Sequence, residues 1–272
     1  MNKITNKDYF LPVIEALNGI KLLSSGTTKP MLIRGICKSS LEKNDYVVKY
    51  YKSPRMSVES SCRELIASFI AMELELNVPE PVLISVSAEF VGSLKGKDGY
   101  QVAYDSIGLN FGCKYLTDSG LMEMIYNQDL NSGQYEQAEH IFAFDTFISN
   151  VDRRIDKQNM LSDGETILIF DHELAFGFVF DLFQNPTPWI IRDTDREWIQ
   201  NHFFFFKLKQ NRHNFVNFVQ SLEAIDDAFW QKVESLLPTV WKTLQLETIK
   251  NNLSSIVLHK DIFLKELYKI LK

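Results

Sequence analysis

The spacing of apolar residues changes once along this chain of 272 residues, and that change limits the possible folds more than any single motif. Up to about residue 112 the apolar residues come in short runs. Residues 20–23 and 30–36 read as two strands around a small-residue turn, and 46–51 as a third, rich in β-branched and aromatic side chains. One helical stretch interrupts them at 60–76, where Leu65, Ile66, Phe69, Met72 and Leu76 recur at helix spacing. Ser61 and Glu64 are spaced as a capping box for it, and Pro79 and Pro81 end it. Residues 81–86 and 100–104 read as further strands, the second leading into an irregular glycine-containing connector at 108–112. Beyond Leu116 the pattern turns helical: Ala138, Ile141, Phe142, Phe144, Phe147 and Ile148 share one helix, and the chain from Arg196 onward is mostly helical. A β-rich first part joined by a short connector to an α-rich second part is an α+β, bilobal plan with a ligand cleft between the lobes. We place the lobes at 1–112 and 113–272.

The second part carries the clearest chemical pattern. Asp152 follows the helix on a loop, Asn159 precedes the short strand that begins at Met160, and Asp171 ends the next apolar run, nineteen residues after Asp152. An acid on a loop, an amide before one strand and an acid after the next is the layout kinases use for phosphoryl transfer. The first carboxylate can take the proton of an attacking hydroxyl. The amide oxygen and second carboxylate are hard ligands that suit Mg2+. Asp and Asn are also the commonest turn residues, so a loop–strand–turn containing them needs no chemistry by itself.

The first part offers matching residues, each with two readings. Ser24, Ser25, Gly26, Thr27 and Thr28 lie between two strands, where their backbone N–H groups and hydroxyls could donate to phosphate oxygens. With one glycine, the segment equally fits an ordinary hairpin turn. Lys49 interrupts an apolar strand on the same face as Val47 and Tyr51. It suits either a tether for nucleotide phosphates or a solvated lysine on the outer face of a sheet. Glu64 is the helix acid that would pair with that lysine, or the capping residue already noted.

A net charge of −6 without a basic stripe argues against nucleic-acid binding, because phosphate neutralisation needs a concentrated basic face. Cys37, Cys62 and Cys113 are odd in number and widely spaced, which suggests neither a disulfide framework nor a zinc site and fits a reducing compartment. The N-terminus lacks an apolar signal core and no stretch is long enough to span a bilayer. A cytoplasmic location without a membrane partner is expected.

Order and spacing together resemble the HipA-like kinases, in the branch of stand-alone HipA-like domain proteins. The resemblance is carried by Tyr46, Val47, Val48 and Lys49, by Arg63 to Ala67 and Asn77 to Pro81, and by Gly108 to Gly112. It continues through Phe144 to Arg153, Asn159 to Leu161 and Ile169 to Phe176. It covers residues 20–176 and is most specific over 150–176. It implies a protein-kinase-like fold, ATP and Mg2+ as cofactors, and transfer of a phosphate to a hydroxyl-bearing substrate, a protein among the candidates. By position, it implies that Lys49 contacts the nucleotide phosphates and Glu64 orients Lys49. Phe111, Gly112, Cys113, Lys114 and Tyr115 would form the hinge beside adenine, Asp152 would be the base, and Asn159 and Asp171 would hold the metal.

The sequence also departs from the kinase pattern. Kinases usually place the amide five residues after the base; here that position is Lys157, and Asn159 comes seven residues after, with Asp156 the only other hard oxygen nearby. His172 and Glu173 follow Asp171 where protein kinases have Phe and Gly. Two rivals therefore stand beside the kinase: a pseudokinase that binds nucleotide without turnover, and an interaction protein whose acids only cap turns. A lipid or small-molecule hydroxyl would suit the same base. The acceptor surface is expected in residues 189–272, where the resemblance is silent.

Overall fold

The computed structural model describes residues 2–23, 28–116 and 120–272. Strands β1 (Val13–Leu22), β2 (Met31–Cys37) and β3 (Lys43–Lys49) form an antiparallel meander, and helix α1 (Val58–Glu73) follows. After α1 come β4 (Pro81–Val86), the short helices α2 (Ala88–Ser93) and α3 (Tyr100–Asp105), and β5 (Gly108–Lys114). These strands close into a barrel in the order β1-β2-β3-β5-β4, with β1 and β4 parallel and the other neighbours antiparallel.

Strand alternation explains how the barrel serves two surfaces. In and just after β3, Tyr46, Val48 and Tyr50 point into the barrel core with Ile14, Ile33 and Ile84, while Val47 and Lys49 face the opposite side. Two sequence assignments are corrected here. Residues 100–105 are helical, not a strand, because Gly99 turns the chain with φ 83° and Ala103 N–H bonds back to Gly99 O. The connector at 108–112 is β5, paired on both sides to β3 and β4. Helix α1 also starts earlier than its apolar spacing suggests. Ser57 caps it and Ser60 completes the capping box, leaving Glu64 free of that role.

The rest of the chain is mainly helical. A small sheet orders β6 (Met122–Glu123), β7 (Met160–Ser162) and β8 (Ile167–Ile169), with α4 (Ser132–Phe147) packed against β8. Beyond it lie α5 (Arg196–Gln200), α6 (Phe205–Lys209), α7 (Val216–Ser221), α8 (Asp227–Leu236), α9 (Leu244–Leu258) and α10 (Lys260–Ile270). The fold is therefore mixed α+β, β-rich first and helical after. One large core joins α1 to α4, β7, β8 and the C-terminal helices, and Phe203, Phe204 and Phe205 are buried in it while Phe206 is exposed. Among the described residues, no helix is long and apolar enough to cross a membrane.

Candidate active site

A cavity of about 570 Å³ opens between the barrel and the β7–β8 hairpin, within the range of a small-ligand site. Thr28, Val47, Lys49, Phe111, Cys113, Lys114 and Tyr115 line it from the barrel side, Glu64 from α1, and Asn159, Met160 and Asp171 from the hairpin. Gly112 does not line it. A Cβ at that position would meet Ile84 Cγ1 at 2.5 Å and Val47 O at 2.7 Å, so its α-carbon faces the packed barrel. Ser24, Ser25, Gly26 and Thr27 lie outside the described residues.

Lys49 is the centre of the charge. It is buried, not solvated on an outer face, and its Nζ lies 2.8 Å from Glu64 Oε2, pairs with Asp171 Oδ1 and lies 3.4 Å from Glu173 Oε2. The Phe111 ring flanks it at 5.9 Å. Burial would lower the lysine pKa, but Asp171, Glu64 and Glu173 outweigh it and hold the ammonium well above its ordinary value. Burial pushes the Asp171 carboxyl up, and Lys49 with Lys157 more than offsets this, keeping it well below the usual carboxylate range. Glu173 is pushed up to about 8, by burial first and then by its hydrogen bond with Asp171, against the pull of Lys49. Sequence reasoning missed Glu173 as a member of this group. The available signal was its place two residues beyond Asp171, on an irregular segment that can fold back.

The loop after α4 is fixed from beneath. Asp145 and Arg153 are fully buried and paired: Arg153 Nε donates to Asp145 Oδ2 at 2.5 Å, and Asp145 also accepts from Asn150 Nδ2 at 2.7 Å and pairs with His202 Nε2 at 3.0 Å. Arg153 Nη1 donates to Asn159 O at 2.6 Å and Phe170 O at 3.5 Å, and Nη2 meets His172 Nε2 at 3.0 Å. One guanidinium thus ties the Asp152 loop to both strands that carry Asn159 and Asp171. Helix α1 is anchored too, as Arg63 donates to Glu173 O at 3.1 Å and to Gln245 Oε1 at 2.8 Å.

Asn159 and Asp171 line the cavity, and Asp152, itself buried, touches Asn159 and Lys157 without lining it. Asn159 Nδ2 lies 3.4 Å from both Asp152 O and Asp152 Oδ2, and Asn159 O accepts from Phe170 N, which places Asn159 beside Asp171. Asn159 and Asp171 both adopt the left-handed backbone conformation, with φ 49° and 65°. Lys157 Nζ pairs with Asp152 Oδ2 and lies 3.4 Å from Asp171 Oδ2. Asp156 is turned outward, 74% exposed and 3.3 Å from Arg154 Nε.

The Asp171 carboxylate and the Asn159 amide oxygen are hard donors of the kind a divalent cation takes. The neighbouring oxygens of Glu64, Asp171 and Glu173, within 4.8 Å of one another, are gathered around the Lys49 ammonium.

A strand lysine held by a helix acid and a post-strand acid, beside a loop aspartate, is the site layout of a kinase. Residues 18–265 match the family model described as HipA-like kinase, and the chain belongs to that family. The match runs well past residue 176, where the sequence resemblance ended. A Helicobacter pylori proinflammatory kinase, CtkA, is structurally similar, with 14% identity over 92% of this chain and 94% of that one and a TM-score of 0.48. No protein of curated function matches the chain.

Proposed function

We propose that the protein is an ATP- and Mg2+-dependent phosphotransferase that moves the γ-phosphate of ATP to a hydroxyl acceptor, with protein serine or threonine as the first acceptor class to test. The two lobes of this reading are residues 1–112 and 113–272, with the nucleotide between them. The observation that carries it is the buried Lys49, joined to Glu64 and Asp171 on the wall of a nucleotide-sized cavity. In this reading Lys49 holds the phosphates, Glu64 orients Lys49, and Phe111, Cys113, Lys114 and Tyr115 border the adenine. The acceptor oxygen attacks the γ-phosphorus; the new O–P bond forms as the bond to the β,γ-bridging oxygen breaks, ADP leaves, and the hydroxyl proton passes to the Asp152 carboxylate. Asn159 and Asp171 would hold Mg2+, which when bound neutralises charge on the phosphate oxygens.

ATP with Mg2+ is expected to raise the melting temperature by a few degrees, since ligand at about a hundred times its dissociation constant adds about 2.7 kcal/mol. An unchanged melting curve with and without Mg2+ would sink the nucleotide-binding reading. Transfer of labelled γ-phosphate then separates the kinase from a second reading, a nucleotide-binding module without turnover. The observation favouring that second reading is the ammonium of Lys157 seated on Asp152.

A further inference from the structure

Lys157 stands five residues after Asp152, where kinases carry the amide that binds the second of two Mg2+ ions. Its position is built, not incidental. Arg154 and Lys157 exchange backbone hydrogen bonds of 2.9 and 3.2 Å, closing a tight turn that is held in place by Ile155 N donating to Asn201 O at 3.3 Å and Phe203 N donating to Arg153 O at 3.0 Å. From that turn the side chain reaches inward, 23% exposed, and its ammonium bridges Asp152 Oδ2 and Asp171 Oδ2. These are the carboxylates of the candidate base and the candidate metal-holding acid.

We propose that the Lys157 ammonium is a built-in cation that takes the place of one divalent ion, so that this kinase works with a single Mg2+ per nucleotide. An ammonium has no lone pair and cannot ligate a metal, and its charge repels one from the space it fills. It can still supply positive charge to the transferring phosphoryl oxygens, which is the electrostatic task of the ion it replaces. The single Mg2+ then belongs to Asp171 and Asn159. The inference rests on the kinase reading above.

The test counts metal, not turnover. The full chain is saturated with a non-hydrolysable ATP analogue and titrated with Mn2+, with bound ions measured by electron paramagnetic resonance and bound nucleotide measured separately. The wild type is expected to bind about one Mn2+ per nucleotide and Lys157→Asn, which restores the amide, about two. Two ions on the wild type, or one on a folded Lys157→Asn, overturns the proposal. If the variant does not fold, the wild-type count decides alone. Failure of the analogue to bind any form is a separate result, which removes the kinase reading and this inference with it.

Discussion

Arg153 and Asp145 form a fully buried ion pair, with Nε donating to Oδ2 beneath the loop that presents Asp152. Removing either partner leaves the other charge unpaired in a low-dielectric core, which costs about 3–5 kcal/mol for buried pairs. Arg153→Met is therefore expected to lower the melting temperature by on the order of 10 °C. A shift below about 2 °C in a thermal scan would mean that the pair contributes little beyond what water offers.

The same pair sets an acid limit. Burial alone would raise the Asp145 pKa, but the Arg153 guanidinium and His202 hold it well below the usual carboxylate range. A depressed folded-state pKa contributes stability above the unfolded value of about 3.9 and loses it as pH falls toward the folded value. Stability should accordingly fall as the pH drops below about 5, and Asp145→Asn should flatten that limb in denaturant titrations run across pH.

The roles proposed for Asp152 and Lys49 predict different losses. Asp152→Asn is expected to cut turnover by about 10²–10⁴ while nucleotide affinity holds, because the base acts on the acceptor and not on ATP. Lys49→Met should weaken nucleotide affinity by removing the charge that meets the phosphates. Titration with a fluorescent ATP analogue, beside a phosphate-transfer assay, tells the two apart. Equal loss of binding in both variants would refute the separate roles.

Asn159 and Asp156 separate by direction. Asp156 faces solvent and Arg154, whereas Asn159 lies against Asp152. Asn159→Ala should raise the Mg2+ concentration needed for half-maximal phosphate transfer, and Asp156→Ala should leave it close to the wild-type value. The reverse order would transfer the ligand role to Asp156.

Gly112 tests the barrel and not the ligand. A methyl group there collides with Ile84 and with Val47 O, and the backbone oxygen cannot step aside. Gly112→Ala should cost about 1–3 kcal/mol by overpacking, read from urea unfolding.

Much of this architecture was legible because long periodic elements announce themselves. The helix ending at Phe147 and the strand at 167–169 lie where apolar spacing put them, and between and beyond them Asp152 and Asp171 fall on loops. Short segments were less readable. Residues 100–104 alternate as a strand would, and only the turn at Gly99 commits them to a helix; β5 is hidden by glycines that look like loop, of which Gly112 permits close strand approach. Glu64 illustrates a different limit. Its spacing from Ser61 mimics a cap, while its partner Lys49 is supplied by a strand fifteen residues away. Glu173 and Lys157 were equally opaque as pairing partners, since Glu173 reaches Lys49, and Lys157 reaches Asp152 and Asp171, through irregular backbone that no periodicity describes.

The left-handed backbone at Asp171 bears on how such a chain could lose its chemistry. Glycine is the residue that conformation favours, and at that position it would relieve the backbone while Glu64 and Glu173 stay beside Lys49. One substitution would then leave a barrel, a hairpin and a cavity all intact, with the carboxylate proposed to hold the metal gone. Among homologues, an inert descendant of this protein should keep its shape and be betrayed by that one position.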